Sequence, residues 1–148
     1  MIKYPLSFTV RADSEAGTQN SWMASPAAGQ QSVRVAIPPE FDGPGDGLSP
    51  EDLYAMALQN CFVATFKVFA EKSRLAFSSI SVVATLSVDR DERGRAWMNK
   101  IHFEVDLQGV GQIENAMRLL DRTSQNCMIL NSVKSEKSFM FRINQMAS

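Results

Sequence analysis

Apolar and polar positions alternate along the first part of the chain, and this alternation predicts three short strands. Within residues 1–13 every second position is apolar, at Tyr4, Leu6, Phe8 and Val10. Such a period of two indicates a strand with one buried face. Residues 21–25 and 32–37 are two further short apolar stretches, separated by turn-rich segments, and each predicts another strand.

A long apolar helix is predicted after the Pro- and Gly-rich segment 38–48. Ser49 is a favourable N-cap residue, Pro50 suits the first helical position, and the two acidic residues that follow complement the positive end of the helix dipole. From there to about Ser73 the chain has no Gly or Pro, and its apolar positions surround most of the helix. The pattern therefore predicts a helix buried over most of its circumference, with Cys61 near its middle.

The second half of the chain predicts a hairpin, helices and a final strand. Residues 77–90 and 97–107 alternate apolar and polar side chains on either side of a charged turn. Apolar positions at helical spacing predict a helix over 112–122 and a second short helix over 123–131, and alternation returns over 135–143. Strands, one long helix, a hairpin, short helices and a strand make an α+β fold.

Length and composition indicate a single globular domain spanning residues 1–148. The chain is 45% hydrophobic and 21% charged, so it can bury a core. Its net charge of -1 argues against a nucleic-acid partner or an anionic membrane surface. Since the N-terminus lacks a continuous apolar stretch of the kind found in signal peptides, we expect a cytoplasmic protein that does not associate with membranes.

The residue types available for chemistry are few. His102 is the only histidine and falls on the polar face of a predicted strand, so a multi-histidine metal site is excluded and no metal or cofactor is expected. The two cysteines, Cys61 and Cys127, form no CxxC motif, and a structural disulfide is improbable in a reducing cytoplasm. Composition alone leaves open whether they are small buried apolar residues or reactive thiols.

Three segments in order resemble the OsmC/Ohr family of osmotically induced proteins and organic hydroperoxide reductases. They are the Gly-rich turn leading into Ser49–Leu53, the helical stretch Ala57–Phe62, and the later stretch Asn126–Ser132. The flanking order of strands also fits, so the resemblance covers most of the chain. It implies antiparallel sheets packed around a long central helix, in an intertwined homodimer.

The resemblance also implies a cysteine-based peroxidase that acts on organic hydroperoxides without a metal or cofactor. Cys61 matches the cysteine that attacks the peroxide and becomes a sulfenic acid, and Cys127 matches the cysteine that then forms a disulfide with it. An external dithiol, such as a lipoylated protein, would reduce this disulfide. Aromatic side chains near Cys61 suit a greasy substrate, although they could equally be core residues.

The resemblance further implies an arginine beside the reactive cysteine, held by the glutamate that Glu51 matches. The sequence offers two candidates for this arginine, Arg11 and Arg34. Glu51 and Cys61 lie about 15 Å apart on one helix at ~1.5 Å per residue. We therefore expect Glu51 to serve the Cys61 site of the other subunit of a homodimer.

Two other functions remain open from the sequence. The chain could be an OsmC-like protein that binds an apolar ligand or senses redox state with little peroxidase turnover. It could also be a structural α+β dimer whose thiols are only core residues. A rate of Cys61 oxidation far above that of a free thiol would favour the enzyme.

Overall fold

The computed structural model describes residues 1–147, and these group into two compact units. The first unit is Met1–Leu53, and the second begins at Tyr54. The assignment of residues 1–148 to one domain stays a prediction.

The first unit contains a three-stranded antiparallel sheet in the order β1-β2-β3. Its strands are β1 (Val10–Asp13), β2 (Trp22–Pro26) and β3 (Val33–Val35). A short 3₁₀ turn, Pro39–Phe41, follows in the Pro- and Gly-rich segment. The three predicted strands are therefore present, each with its own boundaries.

The first predicted strand is shorter than its alternation suggested. Only Val10–Asp13 pairs with β2, and residues 1–9 form no strand. The alternating side chains Tyr4, Leu6 and Phe8 are exposed. The sequence-based boundary was wrong here because a strand needs a partner as well as a pattern, and the described chain provides none for this segment.

The long helix α1 spans Pro50–Lys72 and begins where the sequence predicts. The Asp52 backbone N–H donates to Ser49 Oγ at 2.9 Å, and the Ser49 N–H donates to Asp52 Oδ2 at 2.9 Å. This reciprocal capping satisfies two backbone donors that the helix itself cannot pair.

The second unit carries a mixed three-stranded sheet in the order β4-β5-β6. Its elements are β4 (Ser79–Arg90), β5 (Ala96–Val110), α2 (Ile113–Asn126) and β6 (Glu136–Gln145). The hairpin of β4 and β5 is antiparallel, but β6 runs parallel to β5. The predicted antiparallel pairing holds for β4 and β5 but not for β6, since the crossover through α2 returns the chain in the same direction as β5.

The core of the second unit forms between one row of α1 and the apolar face of the sheet. The buried α1 residues are Leu58, Phe62, Phe66 and Ala70. Aromatic rings pack between helix and strands with centroids 5.1 to 6.4 Å apart, at Phe62, Phe103, Phe139 and Phe141. This stacking fixes the rotation of α1 about its axis.

The opposite side of α1 is exposed in the single chain. Met56 is 42% exposed and Val68 is 49% exposed, although both are apolar. The expectation of burial over most of the helix circumference is therefore wrong for one chain. The apolar residues on this side of α1 form a surface that a single copy of the chain leaves exposed to solvent.

The segment after α2 also differs from its prediction. The helix continues to Asn126, and Cys127 is its C-cap. The predicted second helix over 123–131 is replaced by this continuation and a 3₁₀ turn at Leu130–Ser132.

Within residues 1–147, α1 is the one helix long and apolar enough to cross a bilayer by length and composition. The core helix of a soluble protein meets the same criteria, and four α1 residues lie in the core. The match is weak evidence for a membrane span.

Candidate functional site

Cys61 lies in the middle of α1, on a partly exposed row beside the core. The neighbouring side chains of Leu58 and Phe62 are fully buried, whereas Cys61 is only partly buried. Burial of these two neighbours holds the helix in one rotation. The Cys61 sulfur is therefore held at the boundary between the core and the surface of the second unit.

Cys127 is held at the end of α2 by backbone hydrogen bonds on both sides. Its N–H donates to the Thr123 carbonyl at 3.0 Å, and its carbonyl accepts from the Asn131 N–H at 3.0 Å. The residue is 0% exposed. It is therefore a rigidly held, buried thiol.

The fold brings these two cysteines together, although they are distant in sequence. Both thiols are free. The pKa of the Cys127 thiol is raised to about 11. Burial is the largest cause, and a side-chain hydrogen bond with Cys61 is the second. Hydrogen bonds from the backbone amides of Leu130 and Ile129 oppose this rise. A partly exposed thiol thus lies against a buried, protonated one.

Thr65 is a polar neighbour of Cys61 that the sequence analysis did not select. Its Oγ1 lies 3.9 Å from Cys61 Sγ, one helical turn further along α1. The signal available in the sequence was the spacing of four residues, which places two side chains on the same helix face.

Arg122 is a second residue that the sequence analysis did not select. Its guanidinium lies over the Phe69 ring, 4.6 Å from the centroid. Phe69 follows Cys61 and Thr65 along the same row of α1, about 12 Å from Cys61 at ~1.5 Å per residue. This cation therefore lies beside the row of α1 that carries Cys61, Thr65 and Phe69.

Glu51 lies in the first turn of α1, as the sequence predicts. Its Oε2 atom is buried and has no hydrogen-bond partner among the residues that the structure describes. A carboxylate oxygen shielded from water without a donor is costly, so this atom is suited to receive a cation.

The two candidate arginines each bind a nearby aspartate in the first unit. Arg11 on β1 makes two hydrogen bonds to Asp13, at 2.6 and 3.0 Å. This pairing raises the pKa of Arg11 and lowers that of Asp13. Arg34 on β3 forms an ion pair with Asp46 at 3.4 Å.

Neither arginine forms an ion pair with Glu51 in the part of the chain that the structure describes. The proposed roles of Glu51, Arg11 and Arg34 therefore remain predictions from the resemblance.

The remaining titratable side chains form no metal site. Across residues 1–147 no three His, Cys, Asp or Glu side chains are grouped so that they could hold a metal ion. His102 lies on the polar face of β5, where its Nδ1 is 2.6 Å from Ser138 Oγ. The candidate functional site is therefore the pair of thiols, one on α1 and one at the end of α2.

Comparison with known families agrees with this arrangement. A family model described as OsmC-like protein matches residues 43–141, a segment that includes α1, both cysteines and most of the second sheet. The chain belongs to the OsmC-like family. The resemblance noted in the sequence is thereby confirmed at the level of the family.

Solved structures of OsmC-like proteins share the fold. An OsmC-like protein of unknown function from Vibrio cholerae superimposes with a TM-score of 0.82 at 16% identity, covering 93% of this chain and 100% of that one. An organic hydroperoxide resistance protein OsmC from Legionella pneumophila gives 0.75 at 18% identity, covering 96% and 99%. The organic hydroperoxide resistance protein OhrB of Bacillus subtilis gives 0.68 at 15% identity, covering 93% and 98%.

These identities establish the fold alone. A search of curated proteins finds no match to this OsmC-like chain. The predicted α+β OsmC-like fold is confirmed.

Proposed function

We propose that this OsmC-like protein is a thiol-dependent peroxidase that reduces organic hydroperoxides. The observation that carries the proposal is that a partly exposed Cys61 packs against the core cluster that contains the buried Cys127, whose pKa it helps to raise. Membership in the OsmC-like family supports it, as does a shared fold with proteins named for organic hydroperoxide resistance.

In the first step the Cys61 thiolate attacks one oxygen of the hydroperoxide. An S–O bond forms as the O–O bond breaks, and the departing alkoxide takes a proton from solvent and leaves as an alcohol. Sulfur loses two electrons and the peroxide gains them. Cys61 becomes a sulfenic acid.

In the second step Cys127 attacks the sulfenic sulfur. An S–S bond forms, and the hydroxyl group leaves as water with the proton of the Cys127 thiol. Because its raised pKa keeps Cys127 protonated at neutral pH, it is a poor target for oxidants in solution but remains available to its neighbour. The result is a Cys61–Cys127 disulfide.

An external dithiol completes the cycle in the cytoplasm. One of its sulfurs attacks the protein disulfide, and its second sulfur displaces the first, leaving two protein thiols and an oxidised dithiol. A lipoylated protein, which carries such a dithiol, is a suitable reductant for this disulfide. The whole cycle uses cysteine side chains and needs no metal or cofactor.

The proposal includes a homodimer in which each subunit supplies Glu51 to its partner's site. The buried, unpartnered Oε2 of Glu51 supports a role in holding a cation. Either Arg11 or Arg34 would have to exchange its aspartate for Glu51 to become that cation. The exposed apolar side of α1 supports an interface between two copies.

The proposal is tested by substitution of each cysteine, with cumene hydroperoxide as oxidant and a dithiol as donor. We expect Cys61→Ser to abolish hydroperoxide consumption. We expect Cys127→Ser to allow one oxidation per chain and then to stop, because no neighbouring thiol can form the disulfide. A Cys61→Ser protein as active as wild type would refute the peroxidase.

A redox sensor or apolar-ligand-binding protein with little turnover is the second candidate. The engagement of both candidate arginines by aspartates favours it, because a thiol without a nearby cation reacts slowly. Stopped-flow measurement of Cys61 oxidation separates the two functions. A rate far above that of a free thiol identifies the enzyme, and a rate equal to it identifies the sensor or binding protein.

A further inference from the structure

Thr65 differs from the other helical threonine whose hydroxyl is hydrogen-bonded. In a helix a threonine hydroxyl commonly donates to the carbonyl four residues earlier. Thr123 in α2 does this, with its Oγ1 2.6 Å from the Leu119 carbonyl oxygen. The hydrogen-bond partner of Thr65 Oγ1 is instead the Cys61 sulfur, at 3.9 Å.

The location of Thr65 fits a role at the thiol. It is partly exposed, like Cys61, and lies on the same row of α1. The fully buried Phe62 and Phe66 on the adjacent face fix the helix rotation, so the hydroxyl and the sulfur stay at the same boundary of the core.

We propose that Thr65 is a catalytic residue that donates a hydrogen bond from its hydroxyl to the ionised Cys61 sulfur. A hydroxyl has one donor and two acceptor sites, whereas a thiolate can only accept, so ionisation of Cys61 fixes the direction of the bond. A bond to a charged acceptor is stronger than a neutral one and shortens as charge develops. Thr65 keeps its proton throughout.

The catalytic consequence rests on the proposed peroxidase, but the hydrogen bond itself does not. Thr65 would increase the fraction of Cys61 present as the attacking thiolate in the first step. A bond of this kind typically changes such a population by roughly tenfold. Alkylation of Cys61 measures the same thiolate without any peroxide, so the two ideas can fail separately.

The experiment measures the rate of Cys61 alkylation by iodoacetamide in a Cys127→Ser background, where Cys61 is the only thiol of the chain. We expect Thr65→Val, which keeps the side-chain shape, to react about tenfold more slowly at neutral pH. The difference should disappear at strongly alkaline pH, where the thiol is ionised in both proteins. Thr65→Ser keeps the hydroxyl and should react at the unsubstituted rate.

Thr85→Val provides the matched control. Thr85 is exposed in β4, so this substitution makes the same chemical change on a different element from the thiols. Thr65→Ala serves as a second hydroxyl-free variant if Thr65→Val does not fold. Equal rates with and without the hydroxyl at position 65 would overturn the proposal. A Thr65→Ser protein as slow as Thr65→Val, or an equal loss in Thr85→Val, would also overturn it.

The same Thr65 variants, made in the protein that keeps both cysteines, test whether the Thr65–Cys61 hydrogen bond affects turnover. We expect Thr65→Val to slow single-turnover oxidation by cumene hydroperoxide by a similar factor, and Thr65→Ser to restore it. If wild type fails to consume hydroperoxide while the alkylation difference persists, the peroxidase is wrong and the hydrogen bond stands.

Discussion

At the scale of single residues, the two thiols differ in their exposure to solvent. Cys61 is partly exposed on α1, whereas Cys127 is 0% exposed at the end of α2. In the proposed cycle a hydroperoxide in solution would therefore meet Cys61 before Cys127. This asymmetry gives the order of the proposed steps, because the accessible sulfur is oxidised first.

The buried thiol makes stability depend on alkaline pH. The pKa of Cys127 rises from an ordinary value of 9.0 to about 11 in the folded protein. Between these values the unfolded chain loses a proton that the folded chain keeps, so the free energy of unfolding falls as pH rises through this window. Urea unfolding at intervals of pH should show the decline.

Comparison with two variants isolates this effect from the titration of other groups. Cys127→Ala should lack the portion of the decline that belongs to the thiol, whereas Cys61→Ser should keep the part that comes from burial, which is the largest cause of the raised pKa. Identical pH profiles for wild type and Cys127→Ala would show that Cys127 does not titrate as described.

At the scale of elements, α1 was the most predictable part of the fold, because its start depends on local chemistry. Ser49 and Asp52 cap it within four residues of sequence. The segment before β1 was less predictable, since a strand requires a partner that local pattern cannot supply. The direction of β6 was missed for the same reason, because pairing with β5 is a long-range choice.

The cap of α1 should contribute measurably to stability. Ser49→Ala leaves the Asp52 N–H without its side-chain acceptor and should lower the free energy of unfolding by about 1 kcal/mol. Ser81→Ala, at an exposed position of β4, serves as control and should change it little. Equal losses in the two variants, measured by urea unfolding, would contradict a specific capping role.

At the scale of the whole molecule, the sequence predicted the family and the thiol pair but not every neighbour of Cys61. The two cysteines were identified because their flanking residues resemble a family. Thr65 was not identified, although its spacing of four residues from Cys61 was available in the sequence. Arg122 was not identified because its contact with Phe69 depends on packing between α1 and α2. The pairing of both candidate arginines with aspartates was likewise visible only in three dimensions.

The exposed apolar side of α1 leads to a test of the homodimer. We expect wild type to sediment as a dimer, and Val68→Lys to weaken it by placing a charge in the proposed interface. Val83→Lys is the matched control, because Val83 is 56% exposed on β4 and lies outside that helix face. Monomeric wild type, or equal effects of both substitutions in analytical ultracentrifugation, would contradict the interface.

The most direct test of the peroxidase is the product formed in a single turnover without a reductant. Reduced protein is mixed with one equivalent of cumene hydroperoxide, and its peptides are analysed by mass spectrometry without reduction. We predict one equivalent of alcohol and an intramolecular Cys61–Cys127 disulfide formed within the same turnover. Consumption of hydroperoxide without that disulfide, or two thiols still free after the peroxide is added, would contradict the account.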